Sequence, residues 1–246
     1  MQLLNSWNEI TLDQFIQLKS VEEDDFHSLL SFKMDQLFIL TNTSIDDECW
    51  DIDTDKLQEL FEEMSWLKVQ PTLNFSRNVL KYHFKELNTI TLGEFIDLEH
   101  LFNINYLLKL PEICAVLYRQ NKPNHWGHIL IEPRNYNESE RAEEFMDVKI
   151  TEVYGIIQAY LTFKKKFVDG FENLFVEPDD YNEEPEPKTA EEIEALRKEK
   201  AVIKWNWERI IYHFAQTHSL TFSQVTELKL IFVFNQLSMM KDLKLD

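Results

Sequence analysis

His125 and His128, three residues apart in Pro123-Asn-His-Trp-Gly-His128, are the nearest approach in this sequence to a metal-binding pair. On a helix that spacing would let both imidazoles reach one ion. Pro123, Asn124 and Gly127 argue against a helix, and neither Cys49 nor Cys114 lies close enough in sequence to complete a set of three or four ligands. Structural or solvent-facing histidines are expected here, and no metal. Carboxylates cluster at Glu22-Glu23-Asp24-Asp25 and at Asp46-Asp47-Glu48, but a chain with net charge −19 contains such runs without any acid–base task. The acids from Asp46 to Asp55 faintly follow a calcium loop. The central glycine is missing, and Leu57 stands at position twelve, where a bidentate Glu is required.

The chain holds four glycines and no G-x-S-x-G, G-x-x-x-x-G-K or G-x-G-x-x-G pattern, so neither a nucleophile elbow nor a phosphate-cradling loop can be drawn. Lys164-Lys165-Lys166, flanked by Phe163 and Phe167, is the one compact basic run. It reads as a helix's last turn complementing the helix dipole before Gly170, because three lysines would make few phosphate contacts against a repulsive global field. No catalytic residue, no cofactor and no enzymatic activity are expected.

The elements that would carry any site are helices. Four glycines and seven prolines in 246 residues disfavour folds built on tight turns, and the 44% hydrophobic and 13% aromatic content suffices for a core. In Ile10-Thr11-Leu12-Asp13-Gln14-Phe15-Ile16-Gln17-Leu18, Thr11 can accept from the Gln14 amide while the Gln14 side chain reaches back. Ile90-Thr91-Leu92-Gly93-Glu94-Phe95-Ile96-Asp97-Leu98 repeats it at an offset of 80, with six of nine residues identical. Leu220-Thr221-Phe222-Ser223-Gln224-Val225-Thr226-Glu227-Leu228 is a weaker third copy, and Tyr212-His213-Phe214 precedes it as Tyr82-His83-Phe84 precedes Thr91, at an offset of 130. Repetition of a structural unit and independent use of a common cap both account for these matches.

Leu57, Leu60, Phe61, Met64 and Leu67 form the stripe of a helix ended by Pro71. Phe102 to Tyr118 predicts helix, with Pro111 starting a new one or kinking the old. After the turn-rich 121–127, only 128–133 predicts a short strand, and Glu138 to Phe171 returns to helix. The expected fold is all-α: a multi-helix bundle over 1–176, then an acidic linker at 177–188 containing Pro178, Pro185 and Pro187, then a small helical module at 189–246 opened by a Thr189 to Glu192 capping box.

Charge follows that division. Residues 1–65 carry 16 acids and three bases, and residues 172–194 carry ten acids with only Lys188. A net −19 excludes a simple nucleic-acid binder. Two cysteines and a start in which Met1 runs into Gln2-Leu3-Leu4 without a leader predict a reduced, cytosolic setting, and no apolar run approaches the roughly 20 residues that span a bilayer. No membrane partner is expected. The C-terminal module is dense in aromatics at Trp205-Asn-Trp207 and Ile231-Phe-Val-Phe234. Most must be its own core, and any surplus would be a docking face, with Trp205, Trp207, Phe232 and Phe234 the candidate partner-binding residues.

The opening Trp7-x-x-Ile10-Thr11-x-x-Gln14-Phe15-Ile16 helix, its copy at Ile90 to Leu98, Leu110-Pro-Glu-Ile-Cys-Ala-Val-Leu-Tyr-Arg119 and the terminal Leu220 to Leu228 unit together resemble proteins encoded among the structural genes of tailed bacteriophages, crAss-like and other gut phages in particular. Some of these are similar to tail assembly chaperones. The resemblance implies a virion or assembly protein without catalytic activity, whose partners are other phage structural proteins, working in the bacterial host cytoplasm during assembly or in the virion. It carries over no functional residue. The alternative is an acidic mimic of nucleic acid that blocks a host DNA-binding protein, which needs carboxylates at phosphate-like spacing on one rigid face.

Overall fold

The computed structural model describes residues 3–21, 29–43, 53–123, 129–132, 134, 137–174 and 206–243. These residues are mostly helical. In chain order the helices are α1 (Leu12–Ser20), α2 (Leu29–Thr41), α3 (Thr54–Glu63), α4 (Leu92–Asn105), α5 (Leu110–Leu117), α6 (Glu138–Phe145), α7 (Ile150–Val153), α8 (Gly155–Asp169), α9 (Asn206–His218), α10 (Phe222–Thr226) and α11 (Leu230–Leu243). Strands β1 (Asn78–Val79), β2 (Tyr82–Phe84) and β3 (Tyr118–Arg119) make a three-stranded antiparallel sheet, and β4 (Asn121–Pro123) pairs with β5 (Ile129–Ile131).

The all-α expectation holds for the bulk of the described chain and is amended by the sheet. Strand β5 falls inside the stretch 128–133 where a short strand was predicted. The three-stranded sheet was not foreseen. Tyr82-His83-Phe84 alternates buried, exposed and half-buried side chains, with Tyr82 stacked on Phe145 at 5.6 Å and Phe84 against Phe75 at 4.7 Å. Tyr212-His213-Phe214 lies in α9, so the shared tripeptide takes two different structures. Pro111 sits in the first turn of α5, while α4 stops at Asn105. A proline costs little there, because a first-turn amide has no helical partner.

The chain forms two compact units, Met1–Lys85 with Leu98–Leu161, and Glu86–Asp97 with Thr162–Asp246. The described part of the expected C-terminal module therefore packs with Glu86–Asp97 and the residues from Thr162 onwards, not alone. The linker at 177–188 and the Thr189 cap lie outside the described residues.

In the first unit Thr11 caps α1 with a full capping box: the Gln14 amide donates to Thr11 Oγ1 at 3.2 Å and the Thr11 amide to Gln14 Oε1 at 3.1 Å. The residues around the cap then dock on a distant segment. Leu12 N–H donates to Val148 O at 2.8 Å and Ile150 N–H to Ile10 O at 3.0 Å, an antiparallel bridge centred on Thr11 and Lys149. The second unit repeats the arrangement. Thr91 and Glu94 form the same reciprocal cap, Leu92 N–H donates to Leu228 O at 2.9 Å, and Leu230 N–H to Ile90 O at 3.0 Å around Thr91 and Lys229. Phe15 meets Tyr154 edge-on at 5.6 Å in the first unit, and Phe95 meets Phe234 edge-on at 6.4 Å in the second.

Both halves of this interlock recur at an offset of 80, which establishes a repeated structural unit. Thr221 does form a capping box with Gln224, but α10 precedes Leu228-Lys229-Leu230 as α6 precedes Val148-Lys149-Ile150. The apparent third copy is thus the partner half of the second.

The interlock also explains why the predicted helix from Glu138 to Phe171 is broken. Val148 O is taken by the Leu12 amide of α1 and Ile150 N–H by Ile10 O just before it, so neither serves a helical ladder. A second break follows at Tyr154, where Ser76 N–H donates to Glu152 O at 2.8 Å and Gly155 N–H to Asn74 O at 2.9 Å. A Cβ on Gly155 would stand 2.5 Å from Leu73 O, so only glycine admits this approach.

Candidate functional site

Polar groups buried in the core are the first place to look for chemistry. In the first unit Arg119, Glu132 and Arg141 are buried, with Arg141 Nη1 on Glu132 Oε2 at 2.8 Å. Their other contacts show a structural task. An α-helix leaves its last four carbonyls without partners. At the end of α5, Cys114 O accepts from the Tyr118 amide, Ala115 O from Arg141 Nε at 2.8 Å, Val116 O from Arg119 Nε at 2.9 Å, and Leu117 O from the Lys85 amide at 2.8 Å. Two guanidinium groups at a helix C-terminus also complement its dipole. This cluster terminates α5, and sequence reasoning had passed over both arginines.

Cys114 is buried within α5, and burial pushes its thiol well above the usual range, the reverse of what a nucleophile requires. Burial likewise raises the phenols of Tyr118 and Tyr160, which donate to Ser76 O at 2.6 Å and Glu99 Oε1 at 2.8 Å. Among the described residues no group of three or more His, Cys, Asp or Glu could hold a metal ion. His125 and His128 lie outside the described residues, as do Cys49, Glu22 to Asp25 and Asp46 to Asp51. Lys166 does fall in the last turn of α8, and Gly170 N–H closes that end on Lys166 O at 3.2 Å.

The candidate partner-binding residues separate by helical geometry. Phe234 is 2% exposed and packs with Phe167 at 4.9 Å, Phe171 at 5.6 Å and Phe95, while half-buried Trp207 meets Phe95 edge-on at 5.5 Å. Phe234 is core and unavailable to a partner. Phe232, two residues earlier, is rotated by about 200° around α11 and is 46% exposed. It shares the outer face of α11 with Ile231, Met239 and Leu243, all exposed. On α9 and α10, exposed Tyr212 and Phe222 meet edge-on at 6.3 Å. Trp205 lies outside the described residues. Helical periodicity applied to Ile231-Phe-Val-Phe234 would have made this division from sequence.

The first unit carries a different surface. An open groove of about 700 Å³ runs between α1 and α2, lined by Asp13, Gln17, Asp35, Phe38, Ile39 and Asn42 among others. Its end is set by how α2 stops. Asn42 takes a left-handed φ of 51°, Thr43 N–H donates to Phe38 O at 3.2 Å and Asn42 N–H to Ile39 O at 3.4 Å, which is a Schellman cap with asparagine in the glycine position. Sequence reasoning did not single out Asp13, Asp35 or Asn42.

No protein-family model, curated protein or solved structure matches the chain. Among the described residues, no helix is long and apolar enough to cross a membrane.

Proposed function

We propose that this protein is a non-catalytic assembly factor or virion component of a tailed phage, acting through contacts with other phage structural proteins. The observation that carries the protein-binding part is the outer face of α11, where Ile231, Phe232, Met239 and Leu243 stand exposed on a helix whose opposite face, through Leu230, Val233 and Phe234, is buried. A helix apolar on both sides leaves one side for another protein. The phage part is supported by the resemblance of the threonine-capped repeat and the Leu110 to Arg119 helix to phage structural proteins. The acidic character, −19 overall, supports steering onto basic surfaces.

Mass spectrometry of purified phage particles and of their assembly intermediates tests this reading. The chain should be found in one or the other, and absence from both would remove the proposal. Phe232→Asp should abolish its recovery with those intermediates while leaving the melting temperature within about 2 °C, since an exposed substitution changes stability by about 0.5 kcal/mol or less. Unchanged recovery would show that α11 is not the docking face.

A further inference from the structure

The groove between α1 and α2 holds one carboxylate on each helix, Asp13 and Asp35, both half-buried. Among the described residues neither takes part in an ion pair; Asp13 accepts from Gln17 Nε2 at 2.8 Å. The nearby cations of the same helices lie over aromatic rings, Lys19 over Phe15 at 5.9 Å and Lys33 over Phe61 at 5.1 Å. The fold does not require Asp13 either. Its counterpart in the repeated unit is Gly93, which is buried, and the same capped interlock forms around it.

A second, independent feature has the same sign. Phe38, Ile39, Asn42 and Thr43, which line the groove, are the last turn and cap of α2, so the negative end of that helix dipole faces the same space. Beyond Asp13 and Asp35, the described part of residues 1–65 adds six acids against three bases. A space of about 700 Å³ over Phe38 and Ile39 is larger than a single ion needs and offers apolar surface that a bare cation would not use.

We infer that the α1–α2 groove docks a lysine- or arginine-bearing segment of a partner protein, with the cation between Asp13 and Asp35 and its aliphatic stem on Phe38 and Ile39. This deepens the protein-binding reading and concerns residues other than those of α11. The cation gains two carboxylates and a helix terminus at once, and the stem covers apolar floor.

The test is fluorescence anisotropy of a labelled lysine–alanine repeat peptide titrated with the full chain. Saturable binding is expected, weakened about tenfold by Asp35→Asn and by Asp13→Asn, the effect of losing one charge-assisted contact of about 1.4 kcal/mol. Glu59→Gln, which removes equal charge from the exposed face of α3, should change binding less than twofold. Equal weakening by all three variants would reduce the attraction to net charge and overturn the proposal. Competition by free spermidine at the peptide's own affinity would do the same, because the apolar floor would then contribute nothing. Should a groove variant fold poorly, amide chemical shifts of the unaltered chain decide: peptide-induced changes must centre on Gln17, Val21 and Asn42, and changes elsewhere refute the site. Failure here leaves the particle assay untouched, and failure of that assay leaves peptide binding intact.

Discussion

Gly155→Ala sets two physical effects of opposite sign against each other. Gly155 opens α8, and in a helix alanine is favoured over glycine by about 1 kcal/mol. Against this, the new methyl carbon would lie 2.5 Å from Leu73 O and 2.6 Å from both the carbonyl carbon and oxygen of Asn74. These are backbone atoms and cannot rotate away. Overpacking of this kind costs about 1–3 kcal/mol or more, and displacing Asn74 also strains the Gly155 N–H bond to Asn74 O, worth about 1 kcal/mol. The net expectation is a loss of about 1–3 kcal/mol, or a fall in melting temperature of about 2–12 °C for a chain of this length. The repeat supplies the control. Asn235, the counterpart on α11, is exposed in an unbroken helix, so Asn235→Ala should gain about 0.5 kcal/mol from propensity alone. Urea unfolding followed by tryptophan fluorescence reads both, with Trp7 and Trp66, edge-on at 4.9 Å, reporting the unit that holds Gly155. A Gly155→Ala chain as stable as the parent would show that Leu73 to Ser76 does not lie across the α7–α8 junction as described.

Thr91→Ala should cost about 1 kcal/mol by removing the acceptor for the Glu94 amide, and an unchanged melting midpoint would mean the cap contributes nothing. Leu80 is exposed at a left-handed φ of 54° in the turn between β1 and β2, so Leu80→Gly should stabilise the chain by about 0.5–1 kcal/mol; destabilisation in a thermal melt would contradict that backbone geometry. In a Cys49→Ser background, Cys114 should react with a maleimide only as fast as the protein opens, and rapid labelling of the native chain would refute its burial. Tyr118 and Tyr160 hold their protons more tightly when folded than when unfolded. Their contribution is thus complete below the ordinary tyrosine value near 10 and is lost as pH rises beyond it. Tyr118→Phe and Tyr160→Phe should each flatten the alkaline side of a stability–pH curve, and an identical slope would show the phenols to be solvated.

Local signals were legible in the sequence because they act over three or four residues. Thr11, Thr91 and Thr221 each cap a helix with the reciprocal bond expected of T-x-x-Q or T-x-x-E, and Pro111 opens α5. Spacing of 3.6 residues places Leu12, Phe15 and Leu18 together in the core. The offset of 80 was visible in one half of the interlock only. Its other half is Val148-Lys149-Ile150 against Leu228-Lys229-Leu230, with Lys149 the one identity in three, and such a match means little until hydrogen bonds join it to Thr11 and Thr91. The groove was hidden for the same reason. Asp13 and Asp35 are ordinary surface acids until α1 packs on α2.

The amino-acid order by itself determined where helices begin, which of their faces are apolar and where acidic charge accumulates, since each depends on neighbours within a turn or two. The tertiary structure decided what those helices dock against. Breaking a helix at 146–149 sacrifices local hydrogen bonds that the distant Ile10 and Leu12 replace, and turning Phe232 outward while Phe234 goes inward requires Phe95, Phe167 and Phe171 of the same unit to pack on. Both outcomes depend on residues far apart in the chain, Thr11 with Lys149 and Phe95 with Phe234, and no local rule reaches across that distance.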